Sequence, residues 1–193
     1  MPILGIMASQ ISGHLWSPEG AYDALATVTL SASASSISFV GIPSGYKHLQ
    51  LRGIAQTNRG TYGIDEANLR FNSDTGANYA FHLLYGDGSS ATATATSGAS
   101  VIQVGSGNLG TTTGSNWGTI IVDILDYTNT NKYTTVRTLG GADCNGTVGG
   151  IGGRVGLSSG LWTNTAAVTS MLLVPVNGSN FSQYSQFALY GVK

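Results

Sequence analysis

From Tyr22 onward, apolar and polar side chains alternate in short runs of period two, each closed by glycine, proline, asparagine or serine. Period two is the spacing of side chains across a sheet, whereas a helix repeats near 3.6 residues. Ile37 and Phe39 oppose Ser38 and Val40, and Leu49, Leu51 and Gly53 oppose His48, Gln50 and Arg52. Tyr79, Phe81, Leu83 and Tyr85 share one parity, with Ala80, His82 and Leu84 on the other, and Phe187, Leu189 and Gly191 alternate with Gln186, Ala188 and Tyr190. Such runs predict strands with one buried and one wetted face. Gly118 to Leu125 is instead rich in β-branched residues and predicts a central strand.

The clearest unit is Leu69 to Gly88, where the Asn72 to Asn78 stretch separates two apolar runs and predicts a rigid turn. Asn177-Gly178-Ser179-Asn180 predicts another turn, and Pro175 is expected at a strand end or an edge. Residues 89–116 admit either exposed strands of small residues or a long surface loop. Between Gly140 and Gly160 glycine recurs so densely that strands crossing closely, or a flexible loop against a neighbour, are expected. No stretch shows the i, i+3, i+4, i+7 spacing of a helix. The pattern therefore predicts an all-β fold, an antiparallel β-sandwich with jelly-roll-like topology, formed by a single domain over residues 21–193. Residues 1–20 read as an extended N-terminal arm whose apolar side chains, Ile3, Leu4, Ile6, Met7, Ile11 and Leu15, suit docking onto another surface. This segment lacks a basic leader region and is read as mature protein.

Composition narrows the function. Only 9% of the 193 residues are charged, against about a quarter in ordinary soluble domains, and the formal net charge is −1. Nucleic-acid affinity comes mainly from lysine and arginine on phosphates, so no nucleic-acid partner is expected. No apolar run approaches the ~18 residues of a membrane span. A neutral exterior of hydroxyls and amides suits extensive subunit packing.

Candidate chemistry is sparse. A glycosidase needs two carboxylates across a cleft, and no loop concentrates acids with aromatics. No GxSxG elbow occurs, and Cys144 lacks a matched histidine among His14, His48 and His82, so neither an enzyme nor a cofactor is expected. Gly150-Ile151-Gly152-Gly153 lacks the strand and helix context of a dinucleotide fingerprint. Asn72, Asp74 and Asn78 are weak candidates for Ca²⁺ ligands, although the closing glutamate of a calcium loop is missing and turn capping explains them more simply. Trp162, beside the glycine-rich stretch, is the candidate platform for stacking a sugar ring.

The run Ile42-Pro43-x-x-Tyr46-x-x-Leu49-x-Leu51-Arg52, the stretch Leu69-Arg70-Phe71-Asn72-x-Asp74-x-Gly76-x-Asn78-Tyr79-x-x-His82, and the ending Ser185-x-Phe187-x-Leu189-Tyr190-Gly191-Val192 resemble small virion structural proteins of tailed bacteriophages, especially those of aquatic hosts. The resemblance covers most of the chain from about residue 22. It implies a jelly-roll or sandwich module that assembles as a homo-oligomer, a trimer by preference. It also implies a place in the virion, on the capsid surface as a decoration (cement) protein bound to the major capsid protein or other virion subunits. The alternative it leaves open is a tail-fibre or receptor-binding module that grips host glycans.

Overall fold

The structure, a computed structural model, describes residues 20–193. Fourteen strands follow in chain order, beginning with β1 (Tyr22–Thr29), β2 (Ile37–Val40), β3 (His48–Thr57), β4 (Ile64–Asp65), β5 (Ala67–Phe71), β6 (Tyr79–Gly86) and β7 (Ala91–Ala99). The second half contains β8 (Ile102–Gln103), β9 (Leu109–Thr111), β10 (Gly118–Leu125), β11 (Thr134–Val148), β12 (Ile151–Trp162), β13 (Ser170–Pro175) and β14 (Gln186–Val192). They form a large sheet in the order β1-β14-β3-β10-β11-β12-β6-β7 and a small sheet in the order β2-β13-β5-β8, with β4 and β9 appended to the large one. All pairings are antiparallel except the short β3–β9 contact.

Eight of these strands carry a nested pattern. β1 pairs with β14, β2 with β13, β3 with β10 and β5 with β8, so the first strand meets the last, the second the next to last, and so inward. That is the topology of a long hairpin rolled into two facing sheets, the jelly roll. The β3–β14 and β5–β13 pairings then close the two layers. The remaining long strands are two inserted hairpins, β6–β7 before β8 and β11–β12 before β13, and both extend the large sheet beyond β10. This extension makes one sheet much wider than the other.

The core lies between the layers, as the period-two runs require. Ile37, Phe39, Leu49, Leu51, Leu69, Phe71, Ile120, Val122, Ile124, Phe187 and Leu189 are all buried on the facing sides. Burying each such side chain contributes about 1.5–3 kcal/mol. Under the extension the second layer is made jointly: β5 and β8 of the small sheet reach β12 and β6, with Phe71 against Trp162 and Ile102 over Gly160, and the rest is supplied by the connection from Val104 to Thr111, every residue of which is buried. Its backbone presses on inward-facing glycines: a Cβ at Gly118 would lie 2.6 Å from Leu109 Cα, and one at Gly140 would lie 2.8 Å from Asn108 Cβ. Within the dense second-half stretch Gly140, Gly156 and Gly160 are therefore crossed closely by residues 102–108, one of the two arrangements expected from the sequence, whereas a Cβ at Gly146 or Gly150 would meet nothing within 4 Å. Ala91–Ala99 is a strand, so the surface-loop alternative fails for that part of residues 89–116.

Candidate functional site

A sheet covered on one side leaves its other side to solvent, and alternation should make that side polar. On the extension of the large sheet it does not. Ile121 on β10 stands directly opposite Leu139 on β11, Leu139 opposite Leu157 on β12, Leu157 opposite Leu84 on β6, and Leu84 opposite Ala93 on β7. These residues are the outward parity, and the four large ones are 38%, 48%, 50% and 50% exposed in that order. Branched side chains opposite one another across neighbouring strands form a continuous aliphatic row five strands wide.

The rows on either side define its borders. One adjoining row runs Thr119, Gly141, Val155, Gly86 and Ala91, where Val155, 61% exposed, stands between two low glycines and adds to the apolar surface, with Trp117 half-exposed at the strand end. The other border is polar and internally paired: Asp123 accepts 2.7 Å bonds from Arg137 and from Gln50. Farther along, the Arg52 guanidinium lies over the Tyr22 and Tyr190 rings, 5.3 and 5.2 Å from their centroids. The face thus exposes apolar surface and carries few charges, of which Asp123 and Arg137 are paired with each other. Single exposed apolar residues are ordinary, but a contiguous patch marks a contact surface.

A second cluster holds buried charge. Asp65 is fully buried and Glu66 nearly so. Asp65 accepts hydrogen bonds from Thr57 Oγ1 at 2.7 Å, the Gly178 amide at 2.8 Å and Asn177 Nδ2 at 2.9 Å. Glu66 Oε2 accepts from Asn177 Nδ2 at 2.8 Å, and the Arg59 and Arg154 guanidiniums lie 3.8 and 3.6 Å from the Glu66 carboxylate. Burial, reinforced by the Asp65 charge, pushes the Glu66 carboxyl above its ordinary pKa against the pull of the two arginines. The pair ties the turn after β13 to the end of β3. Adjacent in sequence and enclosed by these donors, the two acids hold the turn in place and face no cleft.

The residues singled out from the sequence fall as follows. Trp162 is buried, stacked on Tyr79 with ring centroids 6.3 Å apart and tilted against Phe71 at 5.5 Å. Its Nε1–H donates to Asp74 Oδ2 at 2.8 Å. Its ring therefore has no free face, which corrects its reading as a sugar platform; it closes one end of β12 over the core. Asp74 also accepts from the Gly76 amide and from Asn78 Nδ2, so the Trp162 bond first, with these two, lowers its carboxyl below the ordinary range. Asn72 Oδ1 accepts from the Thr169 and Ser170 amides, and its Nδ2 donates to the Ala167 carbonyl. The Asn72 and Asp74 oxygens proposed as Ca²⁺ ligands are thus engaged in turn and loop bonds, and Asn72 points toward the β13 side, away from Asp74 and Asn78. Among the described residues no group of three or more His, Cys, Asp or Glu side chains is placed to hold a metal ion.

His48 Nδ1 accepts from the Asp126 amide at 2.9 Å. Cys144 is half-buried in the β11–β12 hairpin, and burial raises its thiol pKa. The arm residues Ile3, Leu4, Ile6, Met7, Ile11 and Leu15 lie outside the described residues. The aliphatic row was missed in the sequence, although Ile121, Leu139 and Leu84 stand on the outward parity of readable strands; Leu157 falls in the glycine-dense stretch that the sequence left open between strand and loop. Finding it required the pairing register, which only the folded sheet provides.

No protein-family model matches the chain, and no curated protein matches it. Among solved structures it aligns with a candidate pore-forming toxin from Bacteroides vulgatus at 11% identity and a TM-score of 0.08, over 82% of this chain and 57% of that one. The chain thus spans less than two thirds of that protein's length, and a likeness at this score carries no argument about fold or function.

Proposed function

We propose that this protein is a non-enzymatic structural subunit of a tailed-phage virion, in the role of a capsid decoration protein that stabilises the shell by binding neighbouring capsid subunits. The observation that carries the assembly reading is the exposed aliphatic row across β10, β11, β12, β6 and β7, set on a jelly roll with few charges. An isolated soluble domain gains nothing by leaving four large aliphatic side chains in one row exposed; a subunit whose face is covered in a particle gains their burial. The virion assignment is supported by the resemblance of the Ile42–Arg52, Leu69–Gly88 and Ser185–Val192 motifs, and the N-terminal apolar residues supply a second attachment element. The test is fractionation of the particle. Decoration subunits should remain in hundreds of copies with DNA-filled heads after the tails are sheared away. A few copies confined to the tail fraction would sink the decoration role.

The second reading, a tail-fibre or receptor-binding module for host glycans, draws on exposed rings other than Trp162. Tyr184 and Tyr133 are 67% and 50% exposed, and Tyr22 is 47% exposed. Stacking on such rings is the chemistry by which a neutral surface holds sugars. It predicts that purified protein adsorbs to host cells, and that Tyr133→Ala or Tyr184→Ala weakens the adsorption. Undiminished adsorption by both variants would remove this reading.

A further inference from the structure

We infer that the outer face of the large sheet is the contact surface for another copy of this same chain, an inference that deepens the assembly reading above and rests on it. The chemistry of the face selects its occupant. Its charges are few: Asp123 is paired with Arg137 and hydrogen-bonded by Gln50, and the Arg52 cation lies over two tyrosine rings, so no strongly acidic or basic partner is called for. A surface that is itself aliphatic and sparsely charged can cover it while burying little charge. Every copy of the chain carries such a surface, and a net charge of −1 opposes the meeting of two copies only weakly.

The dimensions agree. Seven strands from β14 to β7 are six spacings of about 4.8 Å, or about 29 Å across. Eight residues of β10 at about 3.4 Å each give about 27 Å along the strand. The product is about 800 Å², the share that each partner contributes to a stable interface of ordinary size. The shape agrees as well. Gly141 and Gly86 leave low ground on either side of Val155 in the row beside the aliphatic ridge, so apolar side chains of one copy can settle beside Val155 of another at the ~10 Å spacing of packed sheets. This is the self-complementary contact of a symmetric assembly.

The experiment measures the mass of the purified full-length chain by sedimentation velocity and light scattering over a wide range of concentration. The expected result is a multiple of 19.8 kDa that falls toward 19.8 kDa on dilution. The double variant Leu139→Glu/Leu157→Glu should be monomeric at concentrations where the natural chain is not, with an unchanged far-ultraviolet circular dichroism spectrum. Val40→Glu, at a 78% exposed position on the small sheet, should leave the multimer intact. If the double variant loses its fold, Leu157→Thr decides instead: it keeps a strand-forming residue and should weaken association at least about tenfold, a change of about 1.4 kcal/mol. A chain that is monomeric throughout, or a multimer that folded face variants leave unchanged, overturns the inference. A subunit monomeric in solution would still be recovered with phage heads, so failure here is distinguishable from failure of the virion assignment.

Discussion

Trp162 shows how a single residue changes meaning when its surroundings become known. Its ring fills the space between Tyr79 and Phe71, and its indole N–H is spent on Asp74. Trp162→Phe should keep most of the packing and lose the hydrogen bond to a charged acceptor, costing about 1.5–3 kcal/mol. Trp162→Ala should cost about 3–5 kcal/mol by opening a cavity. Urea unfolding of the two variants measures the difference. A loss much below 1 kcal/mol for the alanine variant would contradict the burial. Glu66 offers a test in pH. Its folded pKa is raised, so the stability linked to the bound proton is fully present below the unfolded value of about 4.3 and is lost as pH rises through the folded value. Glu66→Gln cannot titrate. Its melting temperature relative to the natural chain should therefore climb in the variant's favour from about pH 4 toward pH 7. A difference that stays flat over that window would refute the raised pKa.

At the scale of elements, the buried connection from Val104 to Thr111 is the unusual part. Loops ordinarily run over the surface, because buried backbone needs partners. This one finds some of them in its surroundings: the Val104 amide donates to the Ala67 carbonyl, and the Thr111 amide donates to Asn116 Oδ1. It fits only where β10 and β11 turn glycines inward. Gly118→Ala and Gly140→Ala each force a methyl group into this segment, and overpacking of that kind costs about 1–3 kcal/mol. Thermal melts should show both variants destabilised, and an unchanged melting temperature for either would mean that the connection yields. The sequence marked the stretch from Gly140 to Gly160 as strands crossing closely or a flexible loop, and gave no such sign at Gly118. It did not mark which segment crosses, because 104–111 carries no periodicity of its own.

For the whole molecule, the nested pairing of β1 with β14 and β2 with β13 joins the two ends of the chain. Contacts of such long sequence separation must be closed against loop entropy, so refolding should take milliseconds to seconds, as for other all-β domains. Stopped-flow fluorescence of the buried Trp162 and half-exposed Trp117 reads that rate, and completion within microseconds would be inconsistent with the topology. Removal of residues 1–15 should leave a folded β-domain, since among the described residues the strands of both sheets begin at or after Tyr22 and pair with one another. If the arm anchors the subunit, the truncated chain no longer binds phage shells. Unchanged occupancy on the particle would place the anchor in the sandwich itself.

The alternation of side chains was enough to determine that this chain forms strands, where most of them run, and which parity is apolar, because side-chain direction along a strand is local geometry. Turn chemistry at Asn72–Asn78 and Asn177–Asn180 was legible for the same reason: asparagine, aspartate and glycine satisfy or free the backbone within a few residues. Pairing order was not. Which strand lies beside which depends on contacts between residues separated by most of the chain, and only the folded sheets reveal the nested jelly roll and its two inserted hairpins. The same distance in sequence hid the outer aliphatic row, whose members come from five strands. It also hid the burial of Trp162, since an aromatic at a strand end looks alike in sequence whether a second layer covers it or solvent does.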